Sequence, residues 1–330
     1  MRIGLCIKGF TQIQRLLVEL LPDDDIVACD GGDLLEVAAE CDVVVPIVTR
    51  LPVALFDYPR LRLVQQYGVG LDVVDIPAAT RKGVLVANVP SVGTGNAESV
   101  AELAIAHMLM LSRHIPLALQ RFVEQRFSSP LGQSLWRSTV VILGYGGIGE
   151  EIARRLAGFG VRIIAISRHG PSGGRSRDPA VHIDLHVPQS GMLAAVAEAD
   201  YVVVAAPASP ENIGLVDSAV FAQMKPGAFI VNIARGPVID YQALLAALRD
   251  GRVAGAGLDV FWQEPFNPQD PLLQENVIAT PHIGGATERS LRGIGQAVAD
   301  NVNALRIGRM PAWCVNPQAV KADGADPLSI

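Results

Sequence analysis

Val141-Ile-Leu-Gly-Tyr-Gly-Gly-Ile-Gly149 is the stretch whose reading decides the fold. A β-branched strand, Val140–Leu143, runs into glycines spaced G-x-G-x-x-G, at Gly144, Gly146 and Gly149. An amphipathic helix follows, carrying Ile152, Leu156 and Phe159. In a strand–turn–helix the three glycines serve a tight turn, close approach of backbone to a pyrophosphate, and close helix–strand packing, in that order. The helix start, with Tyr145, Gly147 and Ile148, adds free N–H groups and the positive end of a dipole. The segment reads as a dinucleotide cradle at the start of a parallel sheet, and a purely structural corner is the alternative.

Downstream, strands at Arg162–Ser167, Tyr201–Ala206, Ala228–Ile233, Gly255–Val260 and Val277–Ala279 alternate with helices. These run near Gly147–Gly158, Met192–Ala199, Ser218–Met224 and Tyr241–Asp250. Upstream a first series has strands at Ile3–Ile7, Val43–Val48, Arg62–Gln66 and Val84–Ala87. Helical spacing lies over Gln12–Leu21, Asp33–Glu40 and Val73–Arg81. Two such series predict an α/β protein with two parallel-sheet domains. Asn96, with Glu98 in the first turn, reads as the N-cap of a long helix through Ala101–Ser112. That helix is apolar around most of its circumference, which places it in a buried position between domains or subunits. The last helix, Ala286–Ile307, returns the chain to the first domain. The expected division is therefore 1–95 plus 287–330 for one domain and 96–286 for the other. The tail from Pro317 lacks periodicity and reads as mobile.

A length of 330 residues suits two domains. Half the chain is hydrophobic and 18% is charged, as in a well-buried enzyme. The net charge of -6 offers no general attraction to nucleic acid. The four cysteines form no CxxC pair and no zinc-like cluster, so no metal is expected and a reducing cytoplasm fits. The N-terminus is charged too early for a signal peptide, and no apolar run approaches the ~18 residues of a membrane span.

About 20 residues past the glycine turn an NAD-preferring site usually carries Asp or Glu. Here Ser167-Arg168-His169 stands instead, followed by Arg175 and Arg177. Arginine forks match phosphate, so NADP(H) is favoured over NAD(H). The other reading is a solvated basic loop with permissive NAD(H) binding. Three further residues lie beyond strand ends: Arg235 after Ala228–Ile233, Glu264 after Gly255–Val260 and His282 after Val277–Ala279. Singly they read as a surface cation, a turn and a structural histidine. Together they sit outside the carboxyl ends of parallel strands, where open α/β sheets bind ligands. An imidazole serves as acid and base near neutral pH. A glutamate bonded to it fixes its tautomer and favours imidazolium, and an arginine grips carboxylate and carbonyl together. The set predicts hydride transfer between a 2-keto acid and a 2-hydroxy acid.

Taken in order, six segments resemble the D-isomer-specific 2-hydroxyacid dehydrogenase family, in its glyoxylate/hydroxypyruvate reductase-like form. They are Tyr67-Gly-Val-Gly-Leu-Asp72, Glu98-Ser-Val-Ala-Glu102, Gly144–Gly149, Asn232–Gly236, Gly257-Leu-Asp-Val-Phe261 and Thr280–Thr287. The resemblance runs from about Arg2 to Pro317. It implies that Arg235, Glu264 and His282 are catalytic, and that the amides of Val69 and Gly70, with Arg235 and His282, bind the substrate. It implies that Asp259 faces the cofactor, and that Ala206, Pro207, Ile233, Ala234, Arg235, His282 and Gly284 join the cofactor site. It also implies two Rossmann-like/flavodoxin-like domains with a cleft between them, a discontinuous substrate domain, a D-2-hydroxy acid and a homodimer. Gln66 stands where phosphoglycerate enzymes of the family carry arginine, and no C-terminal regulatory domain follows, so phosphoglycerate is disfavoured. Glu264 stands where formate dehydrogenases carry glutamine, which argues against formate. Glyoxylate and hydroxypyruvate are the expected substrates, with Tyr67 and Trp136 either lining a larger pocket or simply packing. The competing readings are a dinucleotide-sensing module, as in the corepressors that share this fold, and a sister enzyme acting on a donor such as phosphite.

Overall fold

The computed structural model describes residues 1–6, 9–172, 178–319 and 328. Ile7 of the expected first strand, Arg175 and Arg177 lie outside the described residues, as does most of the tail. The chain divides into two compact units, Met1–Asn96 with Glu288–Ile330, and Ala97–Thr287.

In the first unit β1 (Arg2–Cys6), β2 (Asp25–Ala28), β3 (Val43–Pro46), β4 (Leu63–Gln65) and β5 (Leu85–Ala87) form a parallel sheet. Its order is β2-β1-β3-β4-β5, the flavodoxin-like winding. Helices Thr11–Leu20 and Glu288–Arg306 cover one face, with Ile13, Leu17, Val298 and Val302 packed on Ile3 and Leu5. A helix from the end of the chain thus completes a sheet made at its beginning. Asp24 ties the two together, accepting from the N-terminal ammonium at 2.5 Å and from Arg306. The other face buries Leu55 and Phe56 with Cys6, Cys29 and Cys41, all free thiols.

In the second unit β6 (Thr139–Leu143), β7 (Arg162–Ser167), β8 (Leu185–Pro188), β9 (Tyr201–Val204), β10 (Ala228–Asn232), β11 (Val253–Leu258) and β12 (Val277–Ala279) follow in sequence. They form one parallel sheet in the order β12-β11-β10-β9-β6-β7-β8. Strands β9 and β10 are buried along their whole length, as parallel strands covered on both faces must be. Each buried Val, Leu or Ile there contributes about 1.5–3 kcal/mol. Helix Asn96–Ser112 lays Ala101, Ala104, Met108 and Leu111 against one face. The chain winds from β6 through β7 to β8, then jumps back to β9. Its direction reverses beside β6, which makes the ends of β6 and β9 the ligand-binding switch point.

Strands β2 and β8 escape the sequence reading. Both are edge strands, partly exposed throughout, with no continuous apolar run to mark them. Helix Ile115–Val123 is also unexpected, because Pro116 reads as a breaker and none of its residues is buried. Proline is tolerated in the first turn, where its N–H would be orphaned anyway. The strand expected at Gly255–Val260 begins two residues earlier. Asn96 is the first helical residue, and its Oδ1 accepts from Ser290 Oγ at 3.2 Å. The long helix is buried on one face within its own unit, while Leu109 is partly exposed. Among the described residues no helix is long and apolar enough to cross a membrane.

Candidate active site

The glycine turn lies at the carboxyl end of β6. Gly144 has φ +102°, and a Cβ there would stand 2.4 Å from Ala206 N; at Gly149 it would stand 2.3 Å from Gly144 O. Only glycine lets the turn close against the loop after β9 and lets the helix start against the turn. Gly144 N and Tyr145 N both donate to Ile166 O, at 2.9 and 3.0 Å. Helix Gly147–Leu156 starts from Gly146 with no side-chain cap, so its first N–H groups face outward for an anion. Beside the turn is a cavity of about 200 Å³ walled by Gly144–Gly146, Ser167, Arg168 and Ala205–Pro207, with no acidic residue among the described residues that line it. Gln189, Asn212 and Leu215 also line it. None of these three is legible in the sequence; Asn212 holds Pro207 in place through a 2.8 Å bond from Nδ2 to its carbonyl. Ser167 Oγ donates to Gly170 O at 3.2 Å and lies 2.8 Å from His186 Nε2, while Arg168 is exposed.

The three ionisable residues beyond β10, β11 and β12 all belong to the second unit. His282 Nδ1 lies 2.7 Å from Glu264 Oε2, and Glu264 Oε1 accepts from Phe261 N at 3.0 Å. Burial works to raise the Glu264 carboxyl, but the His282 bond and charge, the Phe261 N–H and the Arg235 charge together hold it below its ordinary range. Arg235 follows β10 in an extended conformation, shaped by buried Asn232. Asn232 Nδ2 donates to Arg235 O at 2.9 Å, and its Oδ1 accepts from Ala234 N at 3.0 Å. The next residue, Gly236, abuts the backbone of Phe261 and Trp262. Trp262 is pinned by Nε1 donating to Ile239 O at 2.7 Å and by an edge-on contact with Tyr241 at 5.1 Å. The arginine turn and the glutamate loop therefore pack as one piece.

His282 has φ +54°, and its N–H lies 2.9 Å from the carbonyls of both Asp259 and Thr280. The buried Asp259 carboxylate holds this loop: Oδ1 accepts from Thr280 Oγ1 at 2.6 Å and Ile283 N at 2.8 Å, and Oδ2 from Gly284 N at 2.8 Å. Ile233 is buried and Ala234 partly so, beside Arg235. Val69 and Gly70 stand in the first unit beyond β4, Val69 exposed, its carbonyl accepting from Asn88 Nδ2 at 2.8 Å. Tyr67 packs in the core, its hydroxyl donating to Leu291 O at 2.8 Å; Trp136 is exposed beneath the Arg137 guanidinium, 4.1 Å from the ring centre. Among the described residues no group of three or more His, Cys, Asp and Glu could hold a metal ion.

The profile described as "D-isomer specific 2-hydroxyacid dehydrogenase, NAD binding domain" matches residues 105–284. The glyoxylate reductase of Thermococcus gammatolerans is 37% identical over 299 residues, 87% of this chain and 86% of its own. That of Pyrococcus horikoshii is 35% identical, covering 94% of this chain and 95% of its own. The NADPH-dependent glyoxylate/hydroxypyruvate reductase of Sinorhizobium meliloti, solved with NADP and malonate, superposes with a TM-score of 0.80 at 31% identity. That match covers 97% of this chain and 98% of the other.

Proposed function

Because the chain belongs to the D-isomer specific 2-hydroxyacid dehydrogenase family, we propose that Arg235, Glu264 and His282 are its catalytic residues. The chain is an oxidoreductase that interconverts 2-keto and 2-hydroxy acids with a nicotinamide dinucleotide. The observation that carries the residue assignment is the 2.7 Å His282–Glu264 pair with the Arg235 charge beside it. Nδ1 faces the carboxylate, so Nε2 is the nitrogen left to hold a proton for the substrate oxygen. Glu264, its carboxyl held below the ordinary range, fixes the ring's orientation. Arg235 forks the substrate carboxylate and polarises the carbonyl. We also assign carboxylate-binding amides to Val69 and Gly70.

The residues around the glycine turn suit a dinucleotide. Gly144 and Gly149 let the turn and the helix pack closely, Gly146 lets the backbone approach a diphosphate, Gly146–Gly149 present N–H groups, and Ala206, Pro207, Ile233, Ala234, Asp259 and Gly284 complete the site. The cofactor supplies or accepts the hydride. NADP(H) is the preferred form, supported by Ser167-Arg168 and by a cavity lining that, among the described residues, holds no carboxylate to repel a 2′-phosphate. The substrates are glyoxylate and hydroxypyruvate and the product a D-2-hydroxy acid, in keeping with the names of the relatives above. The working form is a homodimer. Phe122, Val123, Phe127 and Leu131 are each more than four-fifths exposed, and an apolar surface of that kind marks a contact site.

Initial rates with NADPH and NADH, each against glyoxylate, hydroxypyruvate, pyruvate and phenylpyruvate, test the reading. NADPH should win, and Arg168→Ala should reduce its advantage roughly tenfold. Equal rates with both cofactors would reduce Ser167-Arg168 to solvated surface. Full turnover in His282→Ala would overturn the catalytic assignment.

A further inference from the structure

Behind the His282 loop lies a second histidine that the mechanism does not use. His107, on helix Asn96–Ser112, is wholly buried against Gly257 of β11, where a Cβ would come within 3.0 Å of its ring. Its Nε2 is 3.1 Å from Thr280 Oγ1, and that hydroxyl is 2.6 Å from Asp259 Oδ1. A carboxylate only accepts, so the single hydroxyl hydrogen goes to Asp259. The hydroxyl must then receive from His107, which puts the imidazole proton on Nε2. Nδ1 is left as a bare lone pair, buried and without a hydrogen-bond partner among the described residues. Burial pushes the His107 pKa down against the pull of Asp259, so the neutral ring is the stable form. Asp259 in turn receives the N–H groups of Ile283 and Gly284, and its carbonyl lies 2.9 Å from His282 N.

We propose that His107 is a positioning residue: by donating to Thr280 it aims that hydroxyl at Asp259, and so holds the 280–284 segment with His282 at its positive φ. The proposal deepens the reading of His282 as acid and base, and rests on it. His107 itself stays away from the reacting atoms, one hydroxyl and one carboxylate behind the loop that presents His282.

Three variants and one spectrum test it. His107→Leu fills the space without a donor, Thr280→Val removes the hydroxyl, and His107→Gln restores an N–H donor on a side chain of similar reach. His107→Leu and Thr280→Val should each lower kcat roughly tenfold or more, with the keto-acid KM within about twofold, and His107→Gln should recover most of the loss. Imidazole ¹⁵N NMR of the wild type at about pH 8 should show His107 as the neutral Nε2–H tautomer. Wild-type kcat in His107→Leu, an Nδ1–H tautomer, or no recovery in a folded His107→Gln would each overturn the proposal. His282→Ala keeps the two failures apart. Undiminished turnover there sinks the acid–base reading, while the tautomer still reports on the His107–Thr280–Asp259 chain.

Discussion

Replacing Gly236 by alanine tests whether the arginine turn and the glutamate loop act as one unit. A Cβ at 236 would lie 2.2 Å from the carbonyl carbon of Phe261, 2.3 Å from its oxygen and 2.4 Å from Trp262 N. Ordinary contact begins near 3.4 Å, so one backbone must retreat by about 1.2 Å. Trp262 cannot yield easily, being tied to Ile239 O and Tyr241. The displacement therefore falls on Arg235, one residue before, or on Glu264, whose Oε1 is held by Phe261 N. A misplacement of about 1 Å in a catalytic group lowers the rate on the order of 10²-fold, and overpacking costs about 1–3 kcal/mol of stability. The glycine turn that cradles the diphosphate follows β6, so cofactor affinity should fall far less than kcat. Steady-state kcat, cofactor titration by fluorescence and a denaturant melt separate these effects. A folded Gly236→Ala with kcat within about threefold of wild type would refute the coupling.

Glu264→Gln removes the charge facing His282; because the pair is partly solvent-exposed, we expect only about a tenfold loss of kcat/KM, read in steady-state reduction assays. The Glu264 carboxyl is held below its ordinary range, so its stabilisation is present above the unfolded value of 4.5 and lost as pH falls through the folded one. Melts of wild type and Glu264→Gln should therefore converge in acid, and parallel curves would contradict this. His107 is displaced downward from 6.5, so below that pH the unfolded chain takes up the proton first and stability falls with pH. His107→Gln should remove a slope of at most about 1.4 kcal/mol per pH unit there, measured by denaturant melts. Phe122→Asp with Phe127→Asp should shift the protein from dimer to monomer in light scattering; an unchanged mass would place the interface elsewhere.

The parts of the site that sequence reveals are those written locally. Gly144, Gly146 and Gly149 sit within one turn; Arg235 and His282 each follow a strand that adjacent β-branched residues make visible, and Glu264 follows the apolar stretch Val253–Leu258. The alternation of strands and helices likewise exposes both sheets except at β2 and β8, whose exposed edges carry too little apolar pattern. What stays hidden depends on contacts between distant segments. His107 and Thr280 are 173 residues apart, and His107 alone reads as one more residue on an apolar helix. Gly236 looks like a plain turn glycine until Phe261 arrives against it. Asn232 lies inside a recognisable motif, yet its bracing of the Arg235 turn arises only from how the folded turn brings Ala234 N and Arg235 O to its amide.

The first unit closes only when residues from both ends of the chain meet, and that has a consequence on the ribosome. Ile13 and Leu17 wait for Val298 and Val302 of helix Glu288–Arg306, while the whole stretch 97–287 is made in between. At about 5–20 residues per second that interval is roughly 10–40 s. The second unit is contiguous and can finish its sheet during synthesis, before the first can. A nascent chain halted before Glu288 therefore carries an unroofed five-stranded sheet, and that exposed apolar face is where a chaperone would engage it.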